Sequence, residues 1–149
     1  MNNFRALLRN SVGMTLIEIM VVVAIIGSIA ALVTVNVIDY LDESKVDTTK
    51  INIKNIEGAL EQFRRKHSFY PSTEQGLGAL VEKPTVGRAP DNYPAGGYLK
   101  KVPKDAWDSD FIYVSPGTHG NDFEISSYGN DGQEGGEGKD ADINSWELK

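Results

Sequence analysis

The stretch of this chain with the most potential chemistry is NDGQEGGEGKDADI, residues 130–143. Five carboxylates, Asp131, Glu134, Glu137, Asp140 and Asp142, stand there against a single Lys139, with Gly132, Gly135, Gly136 and Gly138 interleaved. On its residues alone the loop admits two descriptions. It is either a solvated, self-repelling surface loop or the oxygen cage of a hard cation. Ca2+ takes about six to eight oxygens in flexible geometry, mixing carboxylates with backbone carbonyls, whereas Mg2+ demands stricter geometry and keeps its waters. Glycine lets the backbone turn sharply enough to present such carbonyls. The loop is not an EF-hand, because the D-x-[DN]-x-[DN]-G register is absent.

A second group with chemistry sits in RNSVGMTLIEIMVVVAIIGSIAALV, residues 9–33, where Glu18 interrupts an otherwise apolar run. An ionisable side chain at membrane depth is costly, roughly 2.5–3.5 kcal/mol for Asp, Lys or Arg at a helix centre, and usually finds a partner. A free α-amine would serve. If the chain were cut between Gly13 and Met14, the new terminus would lie about 6 Å from Glu18 along a helix axis. Within one chain that amine reaches the carboxylate only awkwardly. Between staggered neighbouring helices the two charges can pair and set a register. The plainer alternative is a simple signal anchor, with Glu18 close enough to the interface to snorkel.

The remaining reactive groups form no catalytic constellation. The two histidines, His67 and His119, read as a helix-end residue at the junction with the head and as a turn residue in a hairpin loop. Asp105 and Asp108 flank Trp107 and read as turn and surface positions. There is no nucleophile elbow, P-loop or HExxH. With no cysteine, disulfides, zinc–thiolate sites and a cysteine nucleophile are all excluded. The formal charge is −6. Losing residues 1–13 with Arg5 and Arg9 would take Lys plus Arg from 15 to 13 against 21 Asp plus Glu, a net −8. That surface argues against nucleic acid, whose phosphates call for Lys and Arg.

The elements that must position these groups follow from pattern. Residues 14–38 are long and apolar enough to cross a bilayer as a helix. Arg5 and Arg9 ahead of them place residues 1–13 in the cytoplasm and the chain from Asp39 onward outside. Val46, Thr49, Ile53, Ile56, Leu60 and Phe63 continue as an apolar stripe of helical period, with charged and amide residues on the other faces. No proline interrupts residues 14–70, and Pro71 ends any helix at or before Tyr70. The spacing predicts one helix from Met14 to about Lys66, roughly 80 Å long. Arg64, Arg65 and Lys66 at its end complement the helix dipole or face acidic neighbours.

In YPSTEQGLGALVEKP, residues 70–84, Ser72 or Thr73 caps a short helix whose stripe is Leu77, Leu80 and Val81. Residues 85–97 are a Gly- and Pro-rich loop. FIYVS (111–115) and DFEIS (122–126) alternate around PGTHGN as a β-hairpin. Residues 98–102 are the candidate third strand. A helix followed by a few antiparallel strands is an α+β head.

At G-M-T-L-I-E, residues 13–18, and the apolar run behind it, the sequence resembles the type IV pilin-like proteins. YPSTEQGLGALVEKP, GYLKKVPKDAWDSDFIYVSPGTHG and SYGNDGQEGGEGKDADINSW extend the resemblance over nearly the whole chain, to the major pseudopilins of type II secretion systems. Met14 stands where the family most often has Phe, and Ala106 and Asp108 stand where Pro and Gly usually flank the tryptophan.

The resemblance implies a pilin-like lollipop: residues 1–13 a leader, 14–38 a membrane and filament-core helix, and 39–149 a periplasmic head. The head would include the amphipathic half of the helix (39–69) and a calcium loop (127–143). A prepilin peptidase would cut after Gly13 and the amine of Met14 would be methylated. Glu18 would direct docking in a homopolymer, which would work with minor pseudopilins, an inner-membrane platform and its ATPase. In the head, Asp131, Asp140 and Asp142 would bind a structural Ca2+, helped by a carbonyl near Ser127 or Tyr128, with Trp146 behind the closed loop. The implied role is a structural, non-enzymatic subunit. Its filament, based on the inner membrane, would drive folded proteins across the outer membrane. The rival readings are a type IV pilus or DNA-uptake subunit, and a signal-anchored periplasmic binding module that does not polymerise.

Overall fold

The computed structural model describes residues 13–148, with the side chains of 34–39 outside that description. Of the leader expected over 1–13, only Gly13 lies within the described residues. The element order is one long helix, a short 3-10 turn, and three strands with further 3-10 turns around the last. Helix α1 runs Leu16–His67, 52 residues, within two residues of the span that its apolar periodicity and Pro71 predict. The chain divides into two compact units, residues 1–39 and 40–149.

In the second unit, the predicted stripe of α1 is the core face. Thr49, Ile53, Ile56, Leu60 and Phe63 are fully buried, and Val46 packs at the margin. Helix α1 stops at His67, where Ser68 takes φ 65° and its N–H bonds the Arg64 carbonyl. That left-handed cap usually falls to glycine. The helix therefore ends before Pro71 is reached.

The hairpin forms as predicted, trimmed by a residue or two. Strand β1 is Ile112–Val114 and β2 is Glu124–Ser127. They pair antiparallel, with Tyr113 opposite Ile125. Tyr113 and Ile125 point into the core beside Phe111. The Tyr113 hydroxyl donates to the Pro71 carbonyl at 2.8 Å, and burial pushes its pKa up to about 12.

One expectation is corrected and another is sharpened. The third strand is not 98–102 but β3, Ile143–Asn144, which pairs antiparallel with β2 to give the order β1-β2-β3. The backbone of 98–102 is already committed elsewhere: the N–H groups of Tyr98 and Leu99 both donate to the Leu80 carbonyl, at 2.7 and 2.9 Å. The short helix is present, in 3-10 form. Ser72 and Gln75 do form a capping box, Gln75 N–H to Ser72 Oγ and Ser72 N–H to Gln75 Oε1. Gly76 then takes φ 60° and breaks the turn, leaving a 3-10 turn over Leu77–Leu80. Leu77, Ala79 and Leu80 are buried there, so the apolar pattern serves the core from a 3-10 helix.

Candidate functional site

At the start of α1, Gly13 and Met14 precede the helix as exposed backbone, and Met14 is 69% exposed. A Cβ on Gly13 would meet nothing within 4 Å among the described residues, so none of their contacts requires glycine there. Leu16–Val33 has a mean hydropathy of 2.8, and none of it is buried. By length and composition this is the one described helix able to cross a membrane.

Glu18 has an intrachain occupation that its sequence signature announces. Its Oε2 accepts from the Thr15 N–H at 2.8 Å and from the Thr15 hydroxyl at 3.1 Å, while the Glu18 N–H donates to Thr15 Oγ1 at 3.3 Å. Thr15 and Glu18 are thus a capping box, satisfying donors that a helix N-terminus otherwise leaves bare. The T-x-x-E spacing before an apolar run was the available signal, and reading Glu18 only as a membrane charge overlooked it.

The acidic loop is held by local bonds. Asp131 Oδ1 accepts from the Gln133 N–H, Asp140 Oδ1 from the Asn130 side-chain amide, and Asp142 Oδ2 from the Gly135 N–H at 2.9 Å. The other oxygen of Asp142 is buried and takes no hydrogen bond. The Tyr128 carbonyl accepts from the Gly132 N–H, and Ser127 is fully buried in β2. Among the described residues no three His, Cys, Asp or Glu side chains are gathered as a metal would need. The glycines make the loop's compactness possible. Gly136 sits at φ 93°, and a Cβ there would come within 2.4 Å of the Asp140 carbonyl. The donor set is hard oxygen throughout, and the orphaned Asp142 oxygen fits a cation that also draws on backbone carbonyls.

Several polar residues are placed differently from the expectation. Asp105 is no surface residue but a buried tie. Its Oδ1 accepts from the N–H groups of Trp107 and Ser109, and its Oδ2 from the Ser127 hydroxyl at 2.6 Å. Asp108 is an exposed turn residue as expected. It adopts φ 66°, a left-handed conformation that favours glycine. Trp146 does not back the acidic loop. It stacks on His119 in the hairpin loop, ring centroids 4.3 Å apart.

His119 in turn lies 3.0 Å from Glu124. Burial pushes the Glu124 carboxyl up, but bonds from the His119 N–H, the Thr118 hydroxyl and the His119 ring outweigh it and leave the pKa lowered. His67 is the helix-end residue expected, its Nε2 2.6 Å from the Tyr98 hydroxyl. Burial, then Lys66, lowers its pKa against the opposing pull of Asp91. Arg64 is engaged within the chain, by the Tyr70 hydroxyl and by Asp122 at 3.6 Å.

Comparisons with known proteins agree on one family. The model of the family described as type II secretion system (T2SS), protein G, matches residues 36–146. The type II secretion system core protein G of Pseudomonas aeruginosa is 49% identical over 139 residues, covering 93% of this chain and 97% of that protein. The Vibrio cholerae protein of the same name is 43% identical over 142 residues, covering 95% and 96%. The crystal structure of the major pseudopilin from the type 2 secretion system of enterohaemorrhagic Escherichia coli matches with a TM-score of 0.67 at 36% identity, over 76% of this chain and 96% of that one. With a family model over residues 36–146, relatives at 43–49% identity over more than nine-tenths of the chain and a solved pseudopilin of the same fold, the chain belongs to the type II secretion system protein G family of pilin-like major pseudopilins.

Proposed function

We propose that this chain is the structural subunit of a type II secretion pseudopilus, a periplasmic filament that helps drive folded proteins across the outer membrane. A prepilin peptidase cuts after Gly13, the amine of Met14 is methylated, and the processed chain waits in the inner membrane with its head in the periplasm. The inner-membrane platform and its ATPase then add it to a homopolymer that minor pseudopilins accompany. The observation that carries the reading is Glu18, the one charged residue among 14–38, on a helix segment of which nothing is buried. A run with no use for its apolar surface inside the chain needs lipid or other copies to cover it. A carboxylate within it supplies a register when a neighbour's amine pairs with it.

The capping box favours a second reading, a plain signal anchor in which Glu18 only closes its own helix. Glu18→Gln separates the two, since glutamine keeps an acceptor for the Thr15 N–H but carries no charge. The filament reading expects stable insertion, loss of fibres and an intact mass from native membranes beginning at a methylated Met14. Fibres formed normally by Glu18→Gln, or a chain still carrying residues 1–13 where the peptidase is active, would leave the anchor.

We further propose that the loop holds Ca2+ through Asp131, Asp140 and Asp142 with backbone carbonyls near Ser127 and Tyr128. The unpaired Asp142 oxygen supports this. A bound divalent cation would neutralise a loop that otherwise repels itself and would staple a small head that has no disulfide. At a free cation concentration of 100 times Kd, binding adds about 2.7 kcal/mol to stability. A chelator should therefore lower the melting temperature of the unaltered chain and leave that of Asp142→Ala nearly unchanged. An unaltered chain that melts at the same temperature with and without chelator would remove calcium from the account.

A further inference from the structure

The head carries two patches of opposite charge that find no ion-pair partner in their own chain, among the described residues. One lies at the end of α1. Arg65 and Lys66 are exposed there, and Arg88 joins them from the loop that follows the 3-10 turn. The helix dipole accounts for Arg65 and Lys66, but it gives no reason for Arg88. Yet Arg88 is held in place. The Gln75 side-chain amide donates to the carbonyls of Val86 and Arg88, at 2.7 and 3.0 Å, and the Arg88 guanidinium lies 4.2 Å from the Phe69 ring centroid. Lys66, Phe69 and Arg88 line a cavity of about 160 Å³ in which Asp91 is the one carboxylate. This platform, Lys66 and Arg88 facing one cavity with Arg88 anchored through its backbone and Arg65 exposed in the same last turn of α1, is more than a helix end requires.

The other patch is the exposed limb of the acidic loop, Glu134 and Glu137. Neither is among the calcium ligands proposed above, so both stay available when Asp131, Asp140 and Asp142 are engaged. The two patches do not meet within one molecule. The returning limb of the loop, Gly138 to Ile143, borders a cavity of about 430 Å³ with Val46, Lys50 and Lys54 of α1. Arg65 and Lys66 lie 11 to 20 residues further along the helix, about 16–30 Å at 1.5 Å per residue.

We propose that the platform of Arg65, Lys66 and Arg88 docks the acidic loop of a second copy of this chain through Glu134 and Glu137. The inference rests on the filament reading above. The two surfaces are different parts of the molecule, so the contact is heterologous: it leaves a free patch at each end and propagates along a fibre instead of closing a dimer. Charge pairing at a solvated rim sets register and partner choice more than raw affinity. The docking therefore orders heads that the apolar stems hold together.

The test uses the full-length chain, expressed with the peptidase and the assembly platform. Because the chain has no cysteine, the double variant Lys66→Cys, Glu137→Cys introduces the only thiols. Oxidation of assembled fibres should give a ladder of covalent multimers, and either single variant should give none. Reversing the platform with Arg65→Glu and Lys66→Glu should cut fibre yield by about fivefold or more. Adding Glu134→Lys and Glu137→Lys should restore it. Abundant fibres without the ladder, or a reversed platform that the second reversal does not rescue, would overturn the docking; the latter would point to a free phosphate or lipid headgroup as the occupant. Absence of fibres from the unaltered, correctly inserted chain would instead overturn the filament reading, and the docking with it.

Discussion

Two stretches of the same helix are governed by opposite rules. Between Ile53 and Phe63, every apolar side chain of α1 is 0–2% exposed, except the open Gly58. In Leu16–Val33 nothing is buried, and Ile17, Ile25 and Leu32 are 70%, 53% and 71% exposed. The first stretch is explained by its own head: its apolar residues belong to one buried cluster with Leu77, Leu80, Phe111, Tyr113, Ile125 and Ile143. The second finds no such burial among the described residues. Identical secondary structure with opposite burial shows that the sequence of the first half answers to an environment outside the molecule.

The comparison breaks most sharply by truncation. Phe63→Ala should cost the head about 3–5 kcal/mol, enough to unfold much of a small domain. Ile25→Ala should change head stability by less than about 0.5 kcal/mol while reducing fibre yield. Urea unfolding of the full chain in detergent micelles, followed by the fluorescence of Trp107 and Trp146, measures the first quantity, and fibre counts measure the second. Equal effects of the two variants on unfolding would mean that the halves are coupled, contrary to the burial pattern.

Acid sharpens the contrast, because the groups it reaches lie in the head. The pKa of His67 is below 6.5 in the folded chain, so the unfolded chain takes up a proton first. Stability is therefore complete above about pH 6.5 and falls as pH drops through the interval between the two values. Glu124, also lowered in the folded state, adds a second loss once pH falls below about 4.5. The urea midpoint should decline in two steps, and His67→Gln should remove the upper one. A midpoint that rises on acidification from pH 7 to 5.5 would contradict the burial of the imidazole.

The smallest effect concerns a single backbone angle. Asp108 at φ 66° occupies a region costing a side-chain-bearing residue about 1–2 kcal/mol, partly offset in glycine by its freer unfolded chain. Asp108→Gly should stabilise the head by about 0.5 kcal/mol, read from the same urea midpoints. Its only ion pair, with Lys104 at 3.8 Å, is exposed and contributes little.

What could be read from the sequence was whatever repeats with a period. The stripe from Thr49 to Phe63 predicts α1 and its buried face, and the alternation in FIYVS and DFEIS predicts β1 and β2. Single backbone commitments were not legible. Residues 98–102 look like a strand until Tyr98 and Leu99 give their N–H groups to Leu80. Ile143–Asn144 is too short to signal a strand, although it completes the sheet. The segment 73–83 shows a helix's cap and stripe, but one glycine at φ 60° confines the helix to a 3-10 turn over Leu77–Leu80. At the candidate sites, residue type identified the acidic loop and Glu18. It could not show that Asp105 turns inward to Ser127, or that Trp146 goes to His119. Those choices depend on contacts between residues 20 or more apart in the chain.

The capping box of Thr15 and Glu18 has a consequence for turnover. A carboxylate that already holds donors from its own helix is chemically quiet when no neighbour is present. In the proposed filament, a subunit waiting in the bilayer would already have this carboxylate partly satisfied, so storage before assembly and return after it would need no other partner for the charge. Recycling would be a property of the first turn of the helix.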